Sequence, residues 1–195
     1  MPKTQLKDPL QKALANYGVL SSSELVAILG SRVAIKRKAE AGLIHPLGSG
    51  IYASPSIDPF TAALIATTRY YPKAVISNLT ALVVHRLSDE AIAQVDVDID
   101  KSRDLKNRLL RVHRILKKKL IGISILEYQG HKIRVYDRER ALCEAYLIDP
   151  AGPLFFKALK RYLGQGKPDA DRIKRYDRAL KTNTLLHLQQ ELADG

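Results

Sequence analysis

The chain has 195 residues, 46% of them hydrophobic, which is enough to bury a core and argues against disorder as its default state. A formal net charge of +12 points to a polyanionic partner, nucleic acid first. The single cysteine, Cys143, excludes an internal disulfide framework and a cysteine zinc cluster.

The opening MPKTQLKDPLQ has no apolar signal core. No run approaches the roughly 20 apolar residues of a membrane span, so a cytoplasmic location is expected. Residues 1–6 read as a loose start. From Lys7 to Asn16, Leu10, Ala13 and Leu14 recur at helical spacing, with Asp8 as cap and Gly18 as stop.

SSSELVAIL follows, where Ser21 and Glu24 stand at capping-box spacing and Gly30 permits a tight turn. Ser31 then caps RVAIKRKAEAG. With Ala34, Ile35 and Ala39 turned inward, Arg32, Val33, Lys36 and Arg37 fall on the outer face. In LIHPLGSGIYAS, Leu43–His45 and Ile51–Ala53 read as the two strands of a wing with Leu47–Gly50 at its tip. His45 reads as a surface residue, because no second histidine stands at ligand spacing.

Two capped helices, a glycine turn and a hairpin over Tyr17–Ala53 form the pattern of a winged helix-turn-helix. SPSIDP at 54–59 reads as a short, stiff linker, so the expected domains are 1–56 for DNA binding and 57–195 for the remainder.

The second part begins with a helix over Phe60–Tyr71, a strand at 74–77 and a helix at 78–87. QVDVDID at 94–100 alternates strictly, with Val95, Val97 and Ile99 on one face and Asp96, Asp98 and Asp100 on the other. Between Lys101 and Lys119 stand nine Lys or Arg and one acid, Asp104. Strands are predicted at 109–116, 123–128 and 132–136, the last two as a hairpin around Gln129–Gly130. The expected domain is a mixed sheet of four or five strands followed by helices. Those helices are RERALCEAYLID, PLFFKALKRYLG, DADRIKRYDRALK and TNTLLHLQQELA. Cys143, inside ALCEAYL, reads as a buried thiol. The fold class is therefore α+β: a winged helix-turn-helix, then a mixed α/β domain with C-terminal helices.

In their order, four stretches resemble the AbiEi family of antitoxins from type IV toxin–antitoxin systems. They are YGVLSSSELVAILGSRVAIKRKAEAGLIHPLGSGIYA, AVISNLTALVVHRL, GHKIRVYDRERALCEAYL and FKALKRYLG with DRIKRYDRAL. The resemblance covers nearly the whole chain and is specific in order, not in any single motif. It implies a repressor that binds operator repeats in double-stranded DNA and counteracts a nucleotidyltransferase-like toxin without needing to bind it stably. It implies no catalytic residues, no metal and no cofactor.

On this reading Arg32, Lys36 and Arg37 contact bases, and Ser22, Ser31, Lys38, Ser49 and Tyr52 complete the DNA-contacting set. Arg103, Lys106, Arg108, Arg111, Arg114, Lys117, Lys118 and Lys119 form a second basic surface. Two rivals stand beside it. A nucleotidyltransferase-like enzyme would place magnesium on Asp96 and Asp98. Against it, Ser77-Asn78 replaces the expected glycine turn and no third carboxylate follows, so the simpler reading of the aspartates is a solvated strand face. A general nucleic-acid-binding protein is the second rival. The five histidines, His45, His85, His113, His131 and His187, pair with no nucleophile in sequence.

Overall fold

The computed structural model of the chain describes residues 8–194. The loose start read over 1–6, and Lys7, lie outside the described residues. Helix α1 (Pro9–Tyr17) is capped by the Asp8 carboxylate, which accepts the Leu10 N–H at 2.9 Å. Strand β1 (Val19–Ser21) leads into α2 (Ser22–Leu29), and α3 (Arg32–Glu40) follows after Gly30, whose φ of 82° explains the glycine there. The hairpin β2 (His45–Gly48) and β3 (Ile51–Ala53) completes a small antiparallel sheet of order β1-β3-β2. Leu10, Leu14, Leu20, Leu25, Ile35 and Ile44 close the core beneath these elements.

Two details differ from the sequence reading. The first strand of the hairpin, predicted at Leu43–His45, lies at His45–Gly48, with Pro46 accepted because β2 is an edge strand. Strand β1 was not anticipated. Three residues are too few to show alternation, and Val19–Ser21 is a strand because β3 pairs with it.

The larger part starts with α4 (Pro59–Tyr70), capped by Asp58. Strand β4 (Val75–Ile76), α5 (Asn78–Val84), β5 (Val95–Asp100), β6 (Leu110–Ile115), β7 (Ile123–Tyr128) and β8 (His131–Tyr136) follow. They build one mixed five-stranded sheet of order β6-β5-β4-β8-β7. β5 runs parallel to β6 and β4 parallel to β8; the other neighbours are antiparallel. Helices α6 (Arg138–Ile148), α7 (Pro153–Gly164), α8 (Ala170–Leu180) and α9 (Thr184–Asp194) close the chain. The mixed α+β class is what the alternating sequence periods predict.

Helix α4 packs across β4, β5 and β8 on one side and against β1, β2 and β3 on the other. Val19, Ile51 and Ala53 from the small sheet meet Ala62, Ile65 and Ala66 of α4 in a buried apolar seam. Among the described residues, no helix is long and apolar enough to cross a membrane.

Candidate functional site

The small N-terminal sheet and its helices present one open concavity lined by Ser21, Ser22, Ser23, Val26, Arg32, Ser49 and Gly50. Its walls are the first turn of α2, the head of α3 and the tip of the hairpin. The capping box is present: Ser21 Oγ accepts the Glu24 N–H at 3.3 Å, and Glu24 accepts the Ser21 N–H at 2.7 Å. At the tip, Gly48, Ser49 and Gly50 all have positive φ. That bend returns the chain so that Ser22 donates to the Gly50 carbonyl through both its N–H and its Oγ, at 2.7 and 3.0 Å.

Helix α3 places Ile35 in the core and leaves Arg32, Val33, Lys36 and Arg37 exposed on the opposite face. Val33, an apolar side chain, is 61% exposed among these cations. Lys36 pairs only loosely with Glu40, at 3.7 Å. Ser31 is the N-cap of α3 and accepts the Ala34 N–H at 3.2 Å, so its hydroxyl already serves the helix. Lys38 is half-buried, and Tyr52 packs its ring against the N-terminal core.

The basic segment meets this unit at one point. Leu47 of β2 and Leu109 pack in the same apolar seam, which sets Arg108 and the start of β6 beside the hairpin. From there β6 runs as an edge strand with Arg111 and Arg114 exposed, ending near the 3-10 turn Lys117–Lys119. Arg103, Lys106 and Arg108 are exposed on the loop before it, and Arg114 pairs with Asp104.

Behind β6 lies a cluster that sequence reasoning misassigned. Asp96 and Asp98 are each 2% exposed; they are not a solvated face. The alternation is as expected, but α5 and α6 cover the aspartate side of β5, and only Asp100 at the strand end reaches solvent. Asp96 accepts from Thr80 Oγ1 at 3.2 Å and from His113 Nε2 at 2.9 Å, with Arg111 at 3.7 Å. Asp98 accepts from Tyr136 Oη at 2.9 Å and from Asn78 Nδ2 at 3.4 Å.

Arg140 lies between the carboxylates, fully buried. Its Nη2 is 4.0 Å from Asp98 and its Nη1 is 3.2 Å from Glu144 Oε1, with the guanidinium over the Tyr136 ring. Glu144 in turn accepts the Asn78 N–H at 2.6 Å. Burial pushes the carboxyls of Asp98 and Glu144 above their ordinary range. The Asp96 hydrogen bond raises His113. The sequence signal for this cluster was Arg140 and Glu144 at i,i+4 on either side of the apolar ALC, a pattern that has to be satisfied internally where the helix is buried.

These donors do not suit a divalent metal, because every carboxylate in the cluster already faces a cation or a hydroxyl. Among the described residues, no group of three or more His, Cys, Asp or Glu could hold one. Cys143 is buried next to the cluster, and desolvation raises its thiol to about 12, where it is inert.

Comparison with protein-family models and with curated proteins finds no match to this chain.

Proposed function

We propose that this chain is a DNA-binding antitoxin of the AbiEi type, acting in the cytoplasm as a repressor of its own toxin–antitoxin operon. Residues 8–56 serve as a winged helix-turn-helix on the operator, and the larger part carries the activity against a nucleotidyltransferase-like toxin. The supporting observation is the exposed face of α3. Arg32, Val33, Lys36 and Arg37 point outward together, directly after a tight turn and next to a hairpin tip. Arginine forks match guanine acceptors, and a valine suits a thymine methyl.

The basic edge extends the same surface. β6 is six residues long, so it carries Arg111 and Arg114 outward from the hairpin over about 20 Å. That is more than half of the roughly 34 Å turn of a DNA duplex, a length suited to phosphate contacts.

Footprinting on DNA upstream of the gene tests this reading. Replacing Arg32 or Arg37 with Ala costs about 1–3 kcal/mol on the operator and little on random duplex, if each makes a bidentate base contact. Equal loss on both sequences would assign these residues to phosphates. Equal affinity of the wild type for all duplexes would favour a general nucleic-acid-binding protein. Rescue of growth during expression of a downstream nucleotidyltransferase-like toxin tests the antitoxin half.

A nucleotidyltransferase-like enzyme has one observation in its favour: the Ser77-Asn78 turn converges on Asp98. Arg140 and His113 take up the carboxylates such chemistry would use, which supports the regulator. Metal-dependent nucleotide transfer lost in D96A/D98A would reverse the preference.

A further inference from the structure

The five-stranded sheet has two open edges of opposite character. β6 carries Arg111 and Arg114 and leads to three consecutive lysines, the kind of charge that blunts an edge against pairing. β7, ISILEY, contains no Lys, Arg or Pro, and its single charge is Glu127. Ile125, at its centre, is 58% exposed.

The hairpin register settles which backbone groups β7 turns outward. Gln129 and Gly130 both have positive φ, as a two-residue primed turn requires. Ile125 lies opposite Arg134, and Ile123 opposite Tyr136. The Arg134 N–H turns away from β7 to Thr68 Oγ1 at 3.0 Å, and the Tyr136 carbonyl turns away to His85 Nε2 at 2.7 Å. The Asp137 N–H returns to the Gly122 carbonyl at 2.7 Å. Pairs 123/136, 125/134 and 127/132 are thus the non-hydrogen-bonded ones. The N–H and C=O groups of Ile123, Ile125 and Glu127 point to the open edge. Among the described residues, no hydrogen bond reaches them.

We propose that β7 is a self-association edge, pairing antiparallel with β7 of a second copy about a two-fold axis at Ile125. The choice of occupant follows from symmetry and charge. In this register Ile125 covers Ile125 of the second copy, and each Ile123 faces a Glu127. The two Glu127 carboxylates sit about 13 Å apart along the strands, beyond the screening length of physiological salt. A chain of net charge +12 repels its own copy over most of its surface. β7 is an edge where two copies meet without opposing cations. The two-fold axis closes the assembly at a dimer.

Light scattering of the full chain over a micromolar concentration series tests this. The wild type gives twice the mass of one chain, and Ile125→Lys gives the mass of one, with an unchanged circular dichroism spectrum. Ile125→Cys forms a disulfide-linked pair under mild oxidation, because antiparallel partners at a bonded site lie about 5.5 Å apart at Cα, within disulfide range. The native Cys143 is buried and does not compete. A wild type that stays monomeric throughout overturns the proposal. So does a dimer that survives Ile125→Lys. So does a mass climbing past two copies, the signature of β7 adding head-to-tail onto β6.

Discussion

Arg140 is the residue on which most of the buried charge depends. It is the guanidinium shared by Asp98 and Glu144, and its Nε and Nη1 have no hydrogen-bond partner. It is held by charge and by the Tyr136 ring more than by aligned N–H bonds. Replacing Arg140 with Met leaves two buried carboxylates facing each other and costs about 3–5 kcal/mol of stability in chemical denaturation. Glu144 supplies a pH signature. Burial lifts its carboxyl from 4.5 to about 8, so the folded chain binds a proton that the unfolded chain has released. Stability therefore falls as pH rises from about 4.5 to about 8. Glu144→Gln flattens that fall, and thermal melts of the two proteins across this range check it. His113 acts in the same direction. Its raised pKa gives stability that is present below 6.5 and lost as pH rises through the folded value.

At the scale of elements, caps decide where helices begin. Asp8, Ser21, Ser31, Asp58, Asp137 and Asp169 each accept a backbone N–H at a helix start. That is why these boundaries were legible: a capping side chain and the helical period beside it are local signals. Ser21→Ala removes one half of the capping box and costs about 1 kcal/mol in denaturation. Gly50 shows a constraint that is not local. Its φ of 72° disfavours any side chain, and a Cβ there would stand 3.0 Å from Ser22 Oγ. Gly50→Ala loosens the contact between hairpin tip and α2, seen as faster hydrogen exchange at Ser22. If the tip meets DNA, operator affinity falls with it.

At the scale of the molecule, Glu24 joins the two parts. It belongs to the capping box of α2 and also accepts from Tyr70 Oη and Arg69 Nη2 of α4, each at 2.5 Å, while Arg69 stacks over the Tyr17 ring. Burial alone would raise its carboxyl; the bonds from Tyr70, the Ser21 N–H and Arg69 outweigh that and bring it to about 2. Its contribution is complete above the ordinary 4.5 and disappears as pH falls toward 2. Solvent screens a carboxylate this accessible, so the effect is modest. Glu24→Gln removes this acid sensitivity, and limited proteolysis near pH 2 then cuts wild type and variant alike near Ser54–Ser56. At neutral pH the variant alone is cut faster.

The α+β class, the order of helices and strands apart from β1, the hairpin at Gln129–Gly130 and the outward cationic face of α3 were determined by the sequence itself. Each rests on periodicity, capping or turn chemistry within a few residues of chain. The tertiary structure alone decided the rest. Strict alternation at Val95–Asp100 marks two faces but does not say which is wet; α5 and α6, packed on the aspartate side, bury both. Leu47 and Leu109, packed on one apolar cluster, join the basic edge to the hairpin across more than sixty residues of chain. The open edge of β7 exists because β7 falls last in the order of a five-stranded sheet. Burial and neighbourhood depend on which elements pack together, and that is set by the apolar surface of the whole chain, not by any one segment.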